Sequence, residues 1–165
     1  MHPEFFKMEK QDLYTISFKG LSIDSHVFDW TIDRVFFASW ELSEINDALI
    51  DVRLTLVKHT RFLELVFVFN GWVEVVCDRC LEPLKLDLAS EAKMIVKFGE
   101  HESDSDQDDV ITLPYDEDRL NVAQYLYEYA HLYLPIRRIH LDDANGKSGC
   151  NEEMLLKLNQ YLIEN

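Results

Sequence analysis

Apolar and polar residues alternate along much of the first two thirds of the chain, and a period of two confines such segments to half-buried β-strands. Tyr14, Ile16 and Phe18 alternate with Thr15, Ser17 and Lys19 before Gly20 permits a turn. Phe28, Trp30 and Ile32 alternate with Asp29, Thr31 and Asp33, and Ile50, Val52, Leu54 and Leu56 with Asp51, Arg53 and Thr55. Residues 62–69 are apolar on both faces except at Glu64, the pattern of a central strand. Asn70-Gly71 predicts a type I′ hairpin turn leading into a strand from Trp72 to Cys77, because both residues tolerate positive φ. Leu84, Leu86 and Leu88, then Met94, Val96 and Phe98, continue the alternation, and residues 110–113 read as a last short strand before Pro114. The result is an antiparallel meander of roughly five to seven strands, open or partly closed into a barrel.

From Asn121 the period changes to 3.6. Val122, Leu126, Tyr129 and Tyr133 line one face of a predicted helix, with Tyr125 and Ala130 beside it. Asn121 and Gln124 resemble an N-terminal capping pair, and Pro135 ends the helix. Tyrosines at helical spacing suit core packing, with hydroxyls reaching the rim, better than a platform for stacked bases. A second amphipathic helix follows Cys150, with Met154, Leu155, Leu158 and Leu162 as its apolar face. The expected class is α+β: a single domain over residues 1–165, mainly β over 1–114 and mainly helical over 115–165. Residues 100–109 hold six acids and no base, which predicts a mobile, solvated loop.

Charge narrows the partners. The formal net charge is −15, from 31 acids against 16 bases. A field of that sign repels phosphate and attracts Lys/Arg-rich proteins, so RNA contact would need a local basic patch. The opening Met1-His2-Pro3-Glu4-Phe5-Phe6 has no basic segment followed by an apolar run, and residues 63–76 are interrupted by Glu64, Asn70, Gly71 and Glu74. With three cysteines, an odd number that makes no disulfide framework, the expectation is a cytoplasmic protein with no membrane contact.

Cys77-Asp78-Arg79-Cys80 joins two predicted strands and can aim two thiolates at one point, as in a zinc half-site. Cys150 and His140 are the candidate further ligands, in the C-terminal connection. Two buried, reduced cysteines packing as small hydrophobes are the alternative. A redox dithiol usually opens a helix, whereas Leu81-Glu82-Pro83-Leu84 reads as turn and strand, which argues against it. The chain has no phosphate-cradling glycine loop, GxSxG or HExxH, so no catalytic residues, small-molecule substrate or enzymatic role are expected. Arg79, Arg137, Arg138 and Lys147 would form one basic patch if the cysteine turn meets the C-terminal connection. They would then contact phosphate, or pair with Asp78, Asp142 and Asp143.

Cys77-Asp78-Arg79-Cys80-Leu81-Glu82-Pro83 between strands resembles the CxRCL-type signature of the YceD family, the large ribosomal RNA subunit accumulation proteins. Leu134-Pro135-Ile136-Arg137-Arg138-Ile139-His140, leading to Cys150, is similar to the version found in the Bacteroidetes. The resemblance implies a part in the synthesis, processing or stability of 23S ribosomal RNA, without catalytic residues to carry over. The expected partner is ribosomal RNA or a basic large-subunit ribosomal protein. A zinc-stabilised interaction module with an indirect ribosomal link is the competing expectation. Family members often carry another cysteine near the C-terminal one, and this chain has His140 instead.

Overall fold

The computed structural model describes residues 13–100 and 109–163. The acidic run therefore lies, apart from Glu100 and Asp109, outside the described residues. Five strands form the main sheet in the order β2 (Ser25–Asp33), β3 (Asp47–Lys58), β4 (Phe62–Val76), β5 (Pro83–Gly99) and β6 (Val110–Pro114). The first three pairings are antiparallel, so the meander is present and the residue 62–69 segment is central. β6 departs from it by running parallel to β5. The sheet is also not closed: β2 and β6 are its two ends and do not pair, which corrects the partly closed barrel. β1 (Thr15–Ser17) pairs with β7 (Arg119–Asn121) in a separate two-stranded sheet, and a single turn of helix, α1 (Arg34–Phe37), follows β2. Neither β7 nor α1 is signalled by periodicity, because three or four residues are too few to display one.

Register explains which residues are buried. In β4 the inward positions are Leu63, Leu65, Phe67, Phe69, Val73 and Val75, all at most 1 % exposed. In β3 they are Ala48, Ile50, Val52, Leu54 and Leu56. The inward set of β4 passes through position 71 without a break, so Asn70-Gly71 is strand, not a hairpin tip. Gly71 sits opposite Ile50 on one side and Leu88 on the other. A Cβ placed on it would lie 2.1 Å from the Leu49 carbonyl oxygen, so the glycine permits a close approach of β3 rather than a positive φ. The β3–β4 turn lies at His59-Thr60-Arg61, between the strands the alternation predicts, and there the His59 N–H donates to the Phe62 carbonyl at 3.0 Å.

α2 (Ala123–Leu132) lies against this core through Leu126 and Ala130, with Tyr129 tilted over Phe67 at 5.5 Å and edge-on to Phe69 at 6.4 Å. Tyr125 and Tyr129 thus serve packing, whereas Tyr133, expected on the same face, is exposed and its hydroxyl donates to the Glu91 carbonyl; burial pushes the Tyr129 hydroxyl up to about 12. Asn121 Oδ1 accepts from the Ala123 N–H at 2.9 Å, and the helix stops at Leu132, before Pro135. α3 (Glu152–Ile163) is where expected, yet of its predicted apolar face only Met154 and Leu155 pack on the core. Leu158 and Leu162 are exposed. No helix among the described residues is long and apolar enough to cross a membrane.

Lys58, at the end of β3, donates to the carbonyls of Phe18, Lys19 and Leu21 at 3.0, 3.0 and 2.7 Å. This ammonium fastens the turn after β1 to the sheet. Lys58→Met is expected to cost about 1.5–3 kcal/mol, since three charge-assisted bonds are lost and the partly buried Leu21 carbonyl loses its ammonium donor. A denaturation midpoint shift at unchanged slope checks it.

Candidate metal centre

Cys77 follows β4 in register, which turns its side chain inward, and it is fully buried. The chain then closes a tight turn: Leu81 N–H donates to the Cys77 carbonyl at 3.0 Å and Cys77 N–H to the Glu82 carbonyl at 2.9 Å. Leu81 takes a φ of 62°, an unfavourable region for a branched side chain, and this places Cys80 beside Cys77 before β5 begins.

The C-terminal connection is fastened to this turn by a reciprocal pair. Asp78 N–H donates to the Arg138 carbonyl, and Arg138 N–H donates to Asp78 Oδ2, both at 2.7 Å. His140 is thereby brought over the cysteines. Cys150 arrives from the other side of the Asn145-Gly146-Lys147-Ser148-Gly149 turn. Within that turn Gly146 has a φ of 79°, and Asp143 Oδ1 accepts the N–H groups of Asn145 and Lys147. Gly149 N–H donates to the Leu141 carbonyl, and a Cβ there would meet that oxygen at 2.5 Å and His140 Cβ at 3.1 Å. Only glycine lets residue 149 pass so close to His140, which aligns Cys150 with it. Ser148 Oγ accepts from the Cys150 N–H at 3.2 Å, and Asn151 Nδ2 donates to Glu82 at 3.3 Å.

The four donor atoms of Cys77, Cys80, His140 and Cys150 all lie within 4.8 Å of one another. Cys77 Sγ is 3.8 Å from Cys150 Sγ, and Cys80 Sγ is 3.5 Å from His140 Nδ1. Metal–ligand bonds of about 2.3 Å to sulfur and 2.0–2.1 Å to nitrogen give tetrahedral edges of about 3.8 Å and 3.5 Å. His140 Nε2 lies 3.1 Å from the Pro83 carbonyl, which can only accept, so that nitrogen carries the proton and a neutral ring leaves the Nδ1 lone pair facing the sulfurs. A backbone carbonyl orienting a ligand histidine is the usual outer partner of such a centre. The cluster can hold a metal ion, and its donor set fits zinc.

Electrostatics favour the ligand form at Cys77 and Cys80 and oppose it at Cys150 and His140. Burial raises the Cys77 thiol, but the backbone N–H groups of Cys80, Arg79 and His140 outweigh it and bring the thiol down to about 6. Burial opposes ionisation of Cys80 too, while N–H groups of Asn151 and Glu82 lower it. Cys150 is raised, mainly by burial. Burial would lower His140, yet its contacts with Cys77, Pro83 and Cys80 leave it raised.

The basic residues come to the same place with different degrees of freedom. Arg79 Nη1 reaches Ser148 Oγ at 3.5 Å. Arg138 is mostly buried and pairs with Glu44 at 2.9 Å, rather than with Asp78, Asp142 or Asp143 through its guanidinium. Lys147 pairs with Glu152 at 2.6 Å on the surface. Arg137 is exposed and has no ion-pair partner among the described residues. The part of Glu44 is invisible in the sequence, because it depends on how the loop after α1 folds back. Asp78 was expected only as an ion-pair partner of the arginines, not as a backbone fastener, and Ser148 carried no signal beyond its place in a turn.

The family model for the large ribosomal RNA subunit accumulation protein YceD matches residues 66–158, more than half of the chain, from within β4 to α3. Among curated proteins and among solved structures, nothing matches. The matched stretch contains the cysteine turn and both later candidate ligands, His140 and Cys150, and its description ties the chain to accumulation of the large ribosomal RNA, hence to ribosome biogenesis. The chain belongs to the YceD family.

Proposed function

We propose that the protein is a non-catalytic factor in large ribosomal subunit biogenesis that holds a basic ribosomal protein on its acidic body. One observation carries the choice of partner. Two of the four bases that would bind phosphate, Arg138 and Lys147, are spent in ion pairs on a molecule whose net charge is −15. What remains of that patch for RNA is Arg79 and Arg137, too few contacts to overcome repulsion from the whole body at physiological salt. A Lys/Arg-rich protein meets the opposite field and associates faster because of it. In this reading zinc at Cys77, Cys80, His140 and Cys150 is structural: it ties the C-terminal connection and α3 to the end of β4. Four protein ligands leave no open position for substrate.

The RNA reading keeps one specific support, the unpaired Arg137 next to the cysteine turn. A tagged-protein pull-down at low and moderate salt separates the two. Basic large-subunit proteins are expected to be recovered at low salt and to fall away as salt rises, with Arg137→Ala unchanged. Recovery of naked 23S ribosomal RNA with no basic protein, lost in Arg137→Ala, would overturn the proposed partner.

A further inference from the structure

A groove of about 790 Å³ opens between the residues just before β1, the end of β2, α1, the loop after α1 and α2. Its walls are apolar and aromatic. Tyr14 packs edge-on to Phe36 at 5.2 Å, and Trp40 stacks on Tyr127 at 4.4 Å. The rim is apolar as well: Leu13, Val35 and Leu42 are 67 %, 53 % and 87 % exposed. Rim residues so exposed around an aromatic floor form a contiguous patch of the kind that marks interaction sites. The acids lining it are Asp33, whose Oδ1 also accepts from the Val35 and Phe36 N–H groups, and Glu41.

We infer that this groove docks a Lys/Arg-rich segment bearing bulky apolar side chains, supplied by a basic protein. The inference rests on the proposed function and names where on the acidic body the partner is held. Charge complementarity selects the occupant. An apolar floor alone would accept any hydrophobic segment, but Asp33 and Glu41 on a body of charge −15 favour one with cationic flanks. Aromatic walls suit both parts of such a segment, since they pack aliphatic and aromatic anchors and also attract Lys or Arg over their faces. The Trp40 indole N–H is buried without an acceptor among the described residues. An unpaired buried donor is unfavourable, so the wall gains from a shift that hands this N–H a carbonyl of the partner's backbone.

The test is calorimetric titration of the full chain with two synthetic peptides of equal charge, one alternating Lys with Leu and Phe, the other Lys with Ser. The Leu/Phe peptide is expected to bind at least about tenfold more tightly, the factor that corresponds to burying one or two apolar side chains. The surface double variant Val35→Ser/Leu42→Ser should lose about tenfold in affinity for it, and Glu41→Lys a few-fold with a weaker salt dependence. Equal binding of both peptides, unchanged in the double variant, would overturn the groove while leaving the acidic body as a holder of basic protein. Binding of neither would overturn the basic partner too. Thiol–amine cross-linking of Leu42→Cys provides the last outcome. If it joins position 42 to Lys7 or Lys10 and added peptide does not displace the link, the groove belongs to the chain's own first segment and the inference falls.

Discussion

Purified Cys77→Ser protein is expected to carry no zinc, where about one ion per chain is expected in the parent, and to be destabilised by about 3 kcal/mol or more. For a chain of this size that is a fall of roughly 6–12 °C in melting temperature. Two effects add. The metal no longer links the end of β4 to residues 140–150, and a serine hydroxyl replaces a sulfur in a fully buried position. The second effect alone costs about 1–3 kcal/mol, so lowered stability does not by itself demonstrate a metal. Chelation separates them. A strong chelator should lower the melting temperature of the parent toward that of the variant and leave the variant where it is. His140→Ala, at a residue only partly buried, should reproduce the zinc loss. A parent protein free of zinc, with a melting temperature indifferent to chelator, would reduce the cluster to three packed thiols and a histidine.

Gly71→Ala should be the most damaging single-methyl change in the sheet. The added Cβ would stand 2.1 Å from the Leu49 oxygen and 2.7 Å from Ile50 Cα, both backbone atoms of β3 that cannot rotate away. Relief requires moving β3 against β4 along a register of twelve paired positions, from Asp47↔Glu74 to Lys58↔Leu63. The expected loss is about 3 kcal/mol or more, the range of overpacking where backbone must shift. Were Gly71 a hairpin residue with positive φ, the same change would cost only about 1–2 kcal/mol. Gly20→Ala is the control: nothing lies within 4 Å of its Cβ position, and the expected change is within about 0.5 kcal/mol. Equilibrium unfolding of both variants decides the matter, and a small effect at position 71 would contradict the continuous β4 strand.

The Asn70-Gly71 case shows how local and register signals compete. Taken alone, the dipeptide favours a turn. Taken with Phe67, Phe69, Val73 and Val75, the odd-numbered apolar set runs through it in phase, and burial of four such side chains outweighs a turn preference. The same pattern ends at Cys77 and faces it inward, so the burial of the first ligand was legible. The fate of α3 was less so. Its apolar face is real by periodicity, yet periodicity says only that a face exists, and just its first turn meets the core.

Sequence alone determined the alternation that marks most of the strands, the change to helices at Asn121, the acidic field, and the Cys77-x-x-Cys80 pair. Each is written in residue type and local spacing, which the chain keeps whatever its path; His140 and Cys150 were candidates by residue type alone, and the meeting of all four is tertiary. The tertiary structure decided what depends on distant segments meeting. It left the sheet open, ran β6 parallel to β5 and paired β1 with β7, more than a hundred residues away. It also joined Arg138 to Glu44 across a sequence separation of 94, and so took from the basic patch a charge that the sequence had credited to it. Such pairings are set by where packing of the core places two backbones, and no spacing along the chain encodes that distance.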